Sequence, residues 1–166
     1  FNLPTADMVD VMPHPETDPE VVKTLLEFSQ RIGQYPILIK KEHRNYVFNE
    51  MFTSYLFAAL RLAVYDIATI EDIDKAWMMV LNVPIGPFGT IDSIGVDTAC
   101  DIAREALAKK PEDTYLKDII RFLQAKVDRG ELGRKSGTGF YRYPCPAFAQ
   151  KGFAKSRSNT KAWVTH

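Results

Sequence analysis

Apolar residues recur at helical spacing over most of the chain and at strand spacing over little of it, which predicts an all-α protein with a short extended lead-in. Residues 1–17 hold Pro4, Pro13 and Pro15 around short apolar pieces at Val9 and Val11, a pattern of extended chain or a short strand. A helix then begins: Asp18 suits the N-cap, Pro19 the first helical position and Glu20 the positive end of the dipole. Val21, Val22, Leu25, Phe28, Ser29 and Ile32 follow at helical spacing until Gly33 ends the run. Residues 35–40 form a short β-prone stretch that Pro36 confines to an edge strand or an extended connector.

Residues 45–66 are apolar on most faces and free of proline and glycine for about six turns. A helix of that kind has to be covered on all sides, either as the centre of a bundle or with one face on its own fold and the other on a second chain. Thr69 with Asp72 predicts a capping-box start for a helix through about residue 80. The Pro- and Gly-rich residues 82–93 read as a loop, with Phe88 as its anchor and Asp92 or Asp97 available to cap the next helix. Helices follow over 96–109 and from Pro111 to Arg129, the last closed by Gly130. The expected fold is thus a bundle of about five helices.

Composition narrows the class. At 166 residues, 46% hydrophobic and 25% charged, the chain is an ordinary globular one of a single domain, or of one domain with an appendage, too short for a dehydrogenase of two full domains. The absence of GxGxxG and of alternating strands excludes a complete dinucleotide-binding unit within it. Lys and Arg number 21 and so do Asp and Glu, so no basic excess draws in nucleic acid. The balance hides a gradient: residues 1–83 carry 7 basic and 12 acidic side chains, residues 84–166 carry 14 and 9. That split either steers an anionic ligand toward the second half or reflects solvated helix faces. Cys100 and Cys145 form neither a CxxC nor a metal-spaced cluster, so no metal is expected and the simplest setting is a reducing one, the cytoplasm. Asn49, Glu50, Thr53, Ser54 and Arg61 interrupt the greasiest segment, which rules out an unbroken membrane span there.

Candidate chemistry is sparse. Asn49 places an amide in the first turns of the apolar helix, where an unpaired buried amide costs about 1–3 kcal/mol, so it calls for either a structural hydrogen bond or a substrate contact. Asp10, between Val9 and Val11, alternates to the opposite face from both, a face that usually meets solvent. His43 stands at the helix entrance, as a capping or surface residue or as a ligand contact, and His14 and His166 fall in no catalytic pattern. The glycines and cations of residues 132–141 read as a structural turn or a phosphate cradle; they follow a helix instead of preceding one and lack the spacing of a phosphate loop.

The opening FNLP with VDVM downstream, the YVFNEMF helix start, ATIEDIDKAW, VPIGPFGTIDSIGVDTA and GRKSGTGFYRYP, in this order over nearly the whole chain, resemble one family. It is the C-terminal domain of the 3-hydroxyacyl-CoA dehydrogenases, including the 3-hydroxybutyryl-CoA enzymes. The resemblance implies an all-α bundle that forms a homodimer, preceded by an NAD-binding domain whose catalytic histidine stands just upstream of the FN element. Residues 1–17 would be the lead-in from that domain, 18–150 the helical substrate and dimerisation domain, and 151–166 a mobile tail. It further implies oxidation of a short-chain L-3-hydroxyacyl-CoA to the 3-oxoacyl-CoA in fatty acid β-oxidation, with NAD as cofactor and an isolated chain that is inactive. Asn49 matches the family asparagine that contacts substrate. Asp10 falls, with a one-residue gap, where the family has a glutamate that orients and charge-balances the histidine, and it is one methylene shorter. Arg44 and Asn45 stand in place of a common Pro-Gly and Glu50 in place of a frequent arginine. These departures keep two other readings open: a non-catalytic helical dimerisation module, and a related dehydrogenase acting on a free hydroxy acid.

Overall fold

Local chemistry sets most of the helix boundaries in the computed structural model, which describes residues 7–154. The chain divides into two compact units, Phe1–Ser54 and Tyr55–His166. Of the expected tail, residues 155–166, His166 included, lie outside the described residues.

In the first unit, β1 (Met8–Val11) and β2 (Tyr35–Leu38) pair in parallel, in register from Met8 opposite Tyr35 to Val11 opposite Leu38. Parallel neighbours need a crossover, and α1 (Pro19–Arg31) supplies it. Its start is as the sequence predicts: the Asp18 carboxylate accepts the Glu20 N–H at 2.9 Å and Pro19 occupies the first turn. Ser29 is buried and donates to the Leu25 carbonyl at 2.7 Å, whereas Val21, Leu25, Phe28 and Ile32 stay exposed along one stripe.

Helix α2 (Tyr46–Val64) starts in the first unit and continues into the second. The expectation of burial on every side fails within this chain. Only Leu56, Ala59 and Leu60 are buried, while Met51 is 61% exposed and Val47, Leu62 and Tyr65 are exposed as well. Among the described residues one face of this apolar helix has no cover, so the all-round burial of a central helix is not observed there.

The second unit holds α3 (Ile70–Leu81), α4 (Pro87–Ile94), α5 (Val96–Lys109) and α6 (Thr114–Val127), followed by short 3₁₀ turns at Arg134–Ser136 and Ala147–Ala149. Thr69 caps α3 as predicted, accepting the Asp72 N–H at 3.1 Å, and its hydroxyl donates to Asp72 Oδ2 at 2.8 Å. The fold is helical as expected, with six α-helices among the described residues and one small sheet. The sixth is α4, in the segment read from sequence as loop. It forms because Pro87 sits at its start and the Asp74 carboxylate, from α3, accepts the N–H groups of Phe88 at 2.8 Å and Gly89 at 3.0 Å. Phe88, Ile91, Val96, Cys100, Ile119 and Leu123 make the buried centre of this unit. No helix among the described residues is long and apolar enough to cross a membrane.

Candidate active site

Asp10 is the third residue of β1, opposite Ile37 of β2. Alternation would send it to solvent, yet the residue is half-buried and its Oδ1 is buried without a hydrogen-bond partner among the described residues. It lines a cleft of about 570 Å³ whose walls include Val9, Val11, His14, Leu25 and Phe28. An unsatisfied buried carboxylate oxygen costs free energy and can take a further donor; Asp97 Oδ1 in the second unit is in the same state.

Asn49 lies one turn into α2 and is half-buried, so solvent reaches the position and the buried-amide penalty does not by itself force a protein partner. It belongs to the same unit as Asp10 but is not among the residues lining the Asp10 cleft. Beside it the Glu50 carboxylate accepts from Asn45 Nδ2 at 2.8 Å and sits 3.2 Å from His43 Nε2. The His43 main-chain N–H donates to the Met12 sulfur at 3.4 Å. His43 thus serves the entrance of α2. The side chains of the His43–Glu50 pair are 54% and 51% exposed, which limits its worth to about 0–1 kcal/mol.

The motifs of the second unit serve its architecture. Asp92 does not cap the next helix. Its Oδ1 accepts the Phe140 N–H at 2.8 Å, and its Oδ2 accepts the Tyr141 N–H at 2.8 Å and the Tyr143 hydroxyl at 3.1 Å. Asp74 is satisfied in the same way, with the Tyr141 hydroxyl donating at 2.9 Å as its third partner. Burial pushes both carboxyls above the ordinary carboxylate range, against the pull of those hydrogen bonds. Burial also raises the Tyr141 and Tyr143 phenols, as do the two carboxylates beside them.

The glycines follow from the same geometry. A Cβ on Gly139 would lie 2.6 Å from the Asp92 Cγ and 2.5 Å from the Gly133 Cα, so only glycine admits the turn this close to α4. The N–H groups a phosphate cradle would need are spent: Gly133 donates to Thr138, Ser136 to Gly133, Gly137 to Arg134 and Gly139 to Tyr141, at 2.8 to 3.3 Å. The structural-turn reading of this segment holds. Asp97 accepts from Lys135 Nζ at 2.6 Å, which holds its carboxyl below the ordinary range.

Among the described residues no group of three or more His, Cys, Asp and Glu is placed to hold a metal ion. Cys100 is buried and Cys145 exposed, both as free thiols. Sequence reasoning passed over two features. Asp74 looked like one more acidic residue of an amphipathic helix, and its only signal was a carboxylate on the apolar face of α3. Lys40 and Lys41 follow β2 after the single residue Ile39, and their signal, two adjacent cations just past a strand end, does not show in charge sums taken over half the chain.

The chain is similar to proteins of known family. Residues 46–143 match the family model of the 3-hydroxyacyl-CoA dehydrogenase C-terminal domain. A probable 3-hydroxyacyl-CoA dehydrogenase of Caenorhabditis elegans is 33% identical over 144 residues, which is 86% of this chain and 46% of that protein. The human hydroxyacyl-coenzyme A dehydrogenase, mitochondrial, is 31% identical over 144 residues, again 86% of this chain and 45% of its own length. Among solved structures, a diketoreductase described for its dual catalysis of dicarbonyl compounds is 37% identical, with a TM-score of 0.72 over 82% of this chain and 47% of that one. The chain spans about half the length of the curated relatives it matches.

Proposed function

The chain belongs to the 3-hydroxyacyl-CoA dehydrogenase family and carries its C-terminal domain. From that premise we propose that it forms the substrate-closing and dimerising part of an enzyme that oxidises a short-chain L-3-hydroxyacyl-CoA to the 3-oxoacyl-CoA. The family match over residues 46–143, which contains Asn49, carries this reading, and the buried unpartnered oxygen of Asp10 supports it.

NAD, when bound, supplies the hydride acceptor for the 3-hydroxyl carbon. The described residues hold no glycine-rich strand-to-helix turn for its pyrophosphate, so the bulk of its binding falls to an NAD-binding domain, of which residues 1–17 are the lead-in. What this chain contributes is orientation. The Asn49 amide hydrogen-bonds the 3-oxygen and holds the C–H bond aimed at the acceptor. The 3-hydroxyl proton passes to an imidazole from the rest of the enzyme while the C3–O bond becomes a carbonyl. Asp10 Oδ1 accepts the other ring N–H and stabilises the imidazolium.

The uncovered face of α2 supports a homodimer. In the second unit, α2 and α3 enclose an apolar hollow of about 370 Å³ between Ala58, Leu62, Ala76 and Val80, and Val80 is 81% exposed. A second copy is the cover that fits an apolar surface of this extent. We place the enzyme in the cytoplasm, where two free thiols, one exposed, persist without oxidation.

One further reading has an observation behind it. The 37% identity to a diketoreductase, together with Arg44, Asn45 and Glu50 beside Asn49, favours a free dicarbonyl or hydroxy acid over a thioester. The two part in one assay: NADH oxidation by the full-length protein, with acetoacetyl-CoA against free acetoacetate. A kcat/KM at least ten times higher for the thioester is expected. Preference for the free acid would establish the second reading, and turnover of neither would leave a non-catalytic module. The 166 residues expressed alone are expected to turn over neither substrate.

A further inference from the structure

β1 and β2 run in parallel and so end side by side, at Val11 and Leu38. Beyond those ends the two segments diverge, through Pro13, His14 and Pro15 on one side and Lys40 and Lys41 on the other. Between them opens a cleft of about 930 Å³ lying wholly within the first unit. Ligands of open parallel sheets sit beyond the carboxyl ends of the strands. The floor is apolar, formed by Val22, Leu38 and the buried Ile39, and the rim carries Lys40, Lys41 and Arg44 against one acid, Glu42. Both lysines are exposed, and among the described residues neither is held in an ion pair. Two uncommitted ammonium groups over an apolar floor suit a ligand with phosphates at one end and an apolar or aromatic body.

We propose that this cleft is the subsite for the nucleotide end of the CoA thioester, with Lys40 and Lys41 pairing its phosphates. The inference rests on the acyl-CoA reading above and deepens it. Lysine serves a phosphate as a mobile point charge and needs no fixed bidentate geometry, which suits two side chains on an exposed rim. A dinucleotide pyrophosphate is ordinarily cradled by glycine N–H groups at a helix start, and neither cleft-lining segment, 13–22 or 38–44, contains a glycine. The assignment also explains how a chain with no net charge attracts a polyanion: the cations are local, inside the half whose sum is acidic.

The test is the double variant Lys40→Gln/Lys41→Gln in the full-length protein. Both side chains are exposed, so the fold is kept and a matching melting curve verifies it. KM for acetoacetyl-CoA is expected to rise about tenfold at low ionic strength and the difference to shrink as salt is added. KM for acetoacetyl-pantetheine, which lacks the nucleotide, KM for NADH, and kcat are expected to stay as in the wild type. An unchanged KM for the CoA thioester would overturn the proposal, as would an equal rise for both thioesters or a rise for NADH instead. Calorimetry with adenosine 3′,5′-bisphosphate separates this claim from the reaction itself. Tighter binding by the wild type than by the variant supports the subsite even where no thioester is turned over, and equal affinities remove it.

Discussion

Two buried aspartates and one half-buried aspartate solve the same problem in opposite ways. In the second unit, Asp74 and Asp92 are 0% and 1% exposed and each accepts three hydrogen bonds from the segments it organises. In the first unit, Asp10 keeps a buried oxygen with no partner among the described residues. Two helices differ in the same way: α4 is buried from Pro87 to Asp92, whereas α1 leaves Val21, Leu25, Phe28 and Ile32 in the open. The second unit spends Asp74, Asp92 and its distinctive motifs on the fold, although Asp97 there also keeps a buried Oδ1 without a partner among the described residues. The first leaves the Asp10 valence open in a cleft, where a donor from outside the described residues would fit.

Four experiments press on this contrast, beginning with the largest effect. Asp92→Ala strands two backbone N–H groups and a phenol inside the second unit, and is expected to cost about 4 kcal/mol of stability in denaturant unfolding. A loss under 1 kcal/mol would mean that the segment after α6 is held by something else. Asp10→Asn should do the reverse in the full-length enzyme, lowering kcat about 100-fold, or about 2.7 kcal/mol, with the melting temperature unmoved. Were the melting temperature to fall and kcat to hold, Asp10 would belong with Asp74 and Asp92. Leu62→Glu with Val80→Glu should convert a dimer to a monomer in sedimentation at micromolar concentration, and a wild-type monomer would refute the homodimer outright.

The smallest effect is in pH. The folded pKa values of Asp74 and Asp92 are raised, so their contribution to stability is full below the unfolded value of about 3.9 and is lost as pH rises through the folded values. The melting-temperature difference between wild type and Asp92→Asn should therefore grow as pH falls from 7 toward 4. Glu131 has the opposite sign. Arg129, then Lys126, hold its carboxyl down at about 2, so its contribution is present above the unfolded value of about 4.3 and fades as pH falls toward 2.

Much of the fold was legible because the signals are local. Asp18 with Pro19, and Thr69 with Asp72, announce α1 and α3 within a few residues of where each helix starts. Helix α4 was not legible because its N-terminal donors are met by Asp74, fourteen residues back on another helix, and no window over Gly86 to Gly89 contains that partner. The extended lead-in at residues 8–11 was foreseen, but its parallel pairing depends on a strand 27 residues on. Of the candidate site, Asn49 stands out as an amide on an apolar helix, whereas Asp10 carries a signal only through the family resemblance, since alternation sends it toward solvent. The orphaned oxygen of Asp10 is a matter of tertiary enclosure, and the Lys40 and Lys41 rim becomes visible only when the ends of two strands are brought side by side.

The most direct test compares the full-length wild type with Asn49→Ala, following NADH oxidation with acetoacetyl-CoA beside a thermal melt. The account predicts robust wild-type turnover, a fall in kcat of about 100-fold in the variant and superimposable melting curves. A variant as active as the wild type, or a wild type that oxidises no NADH, would contradict it.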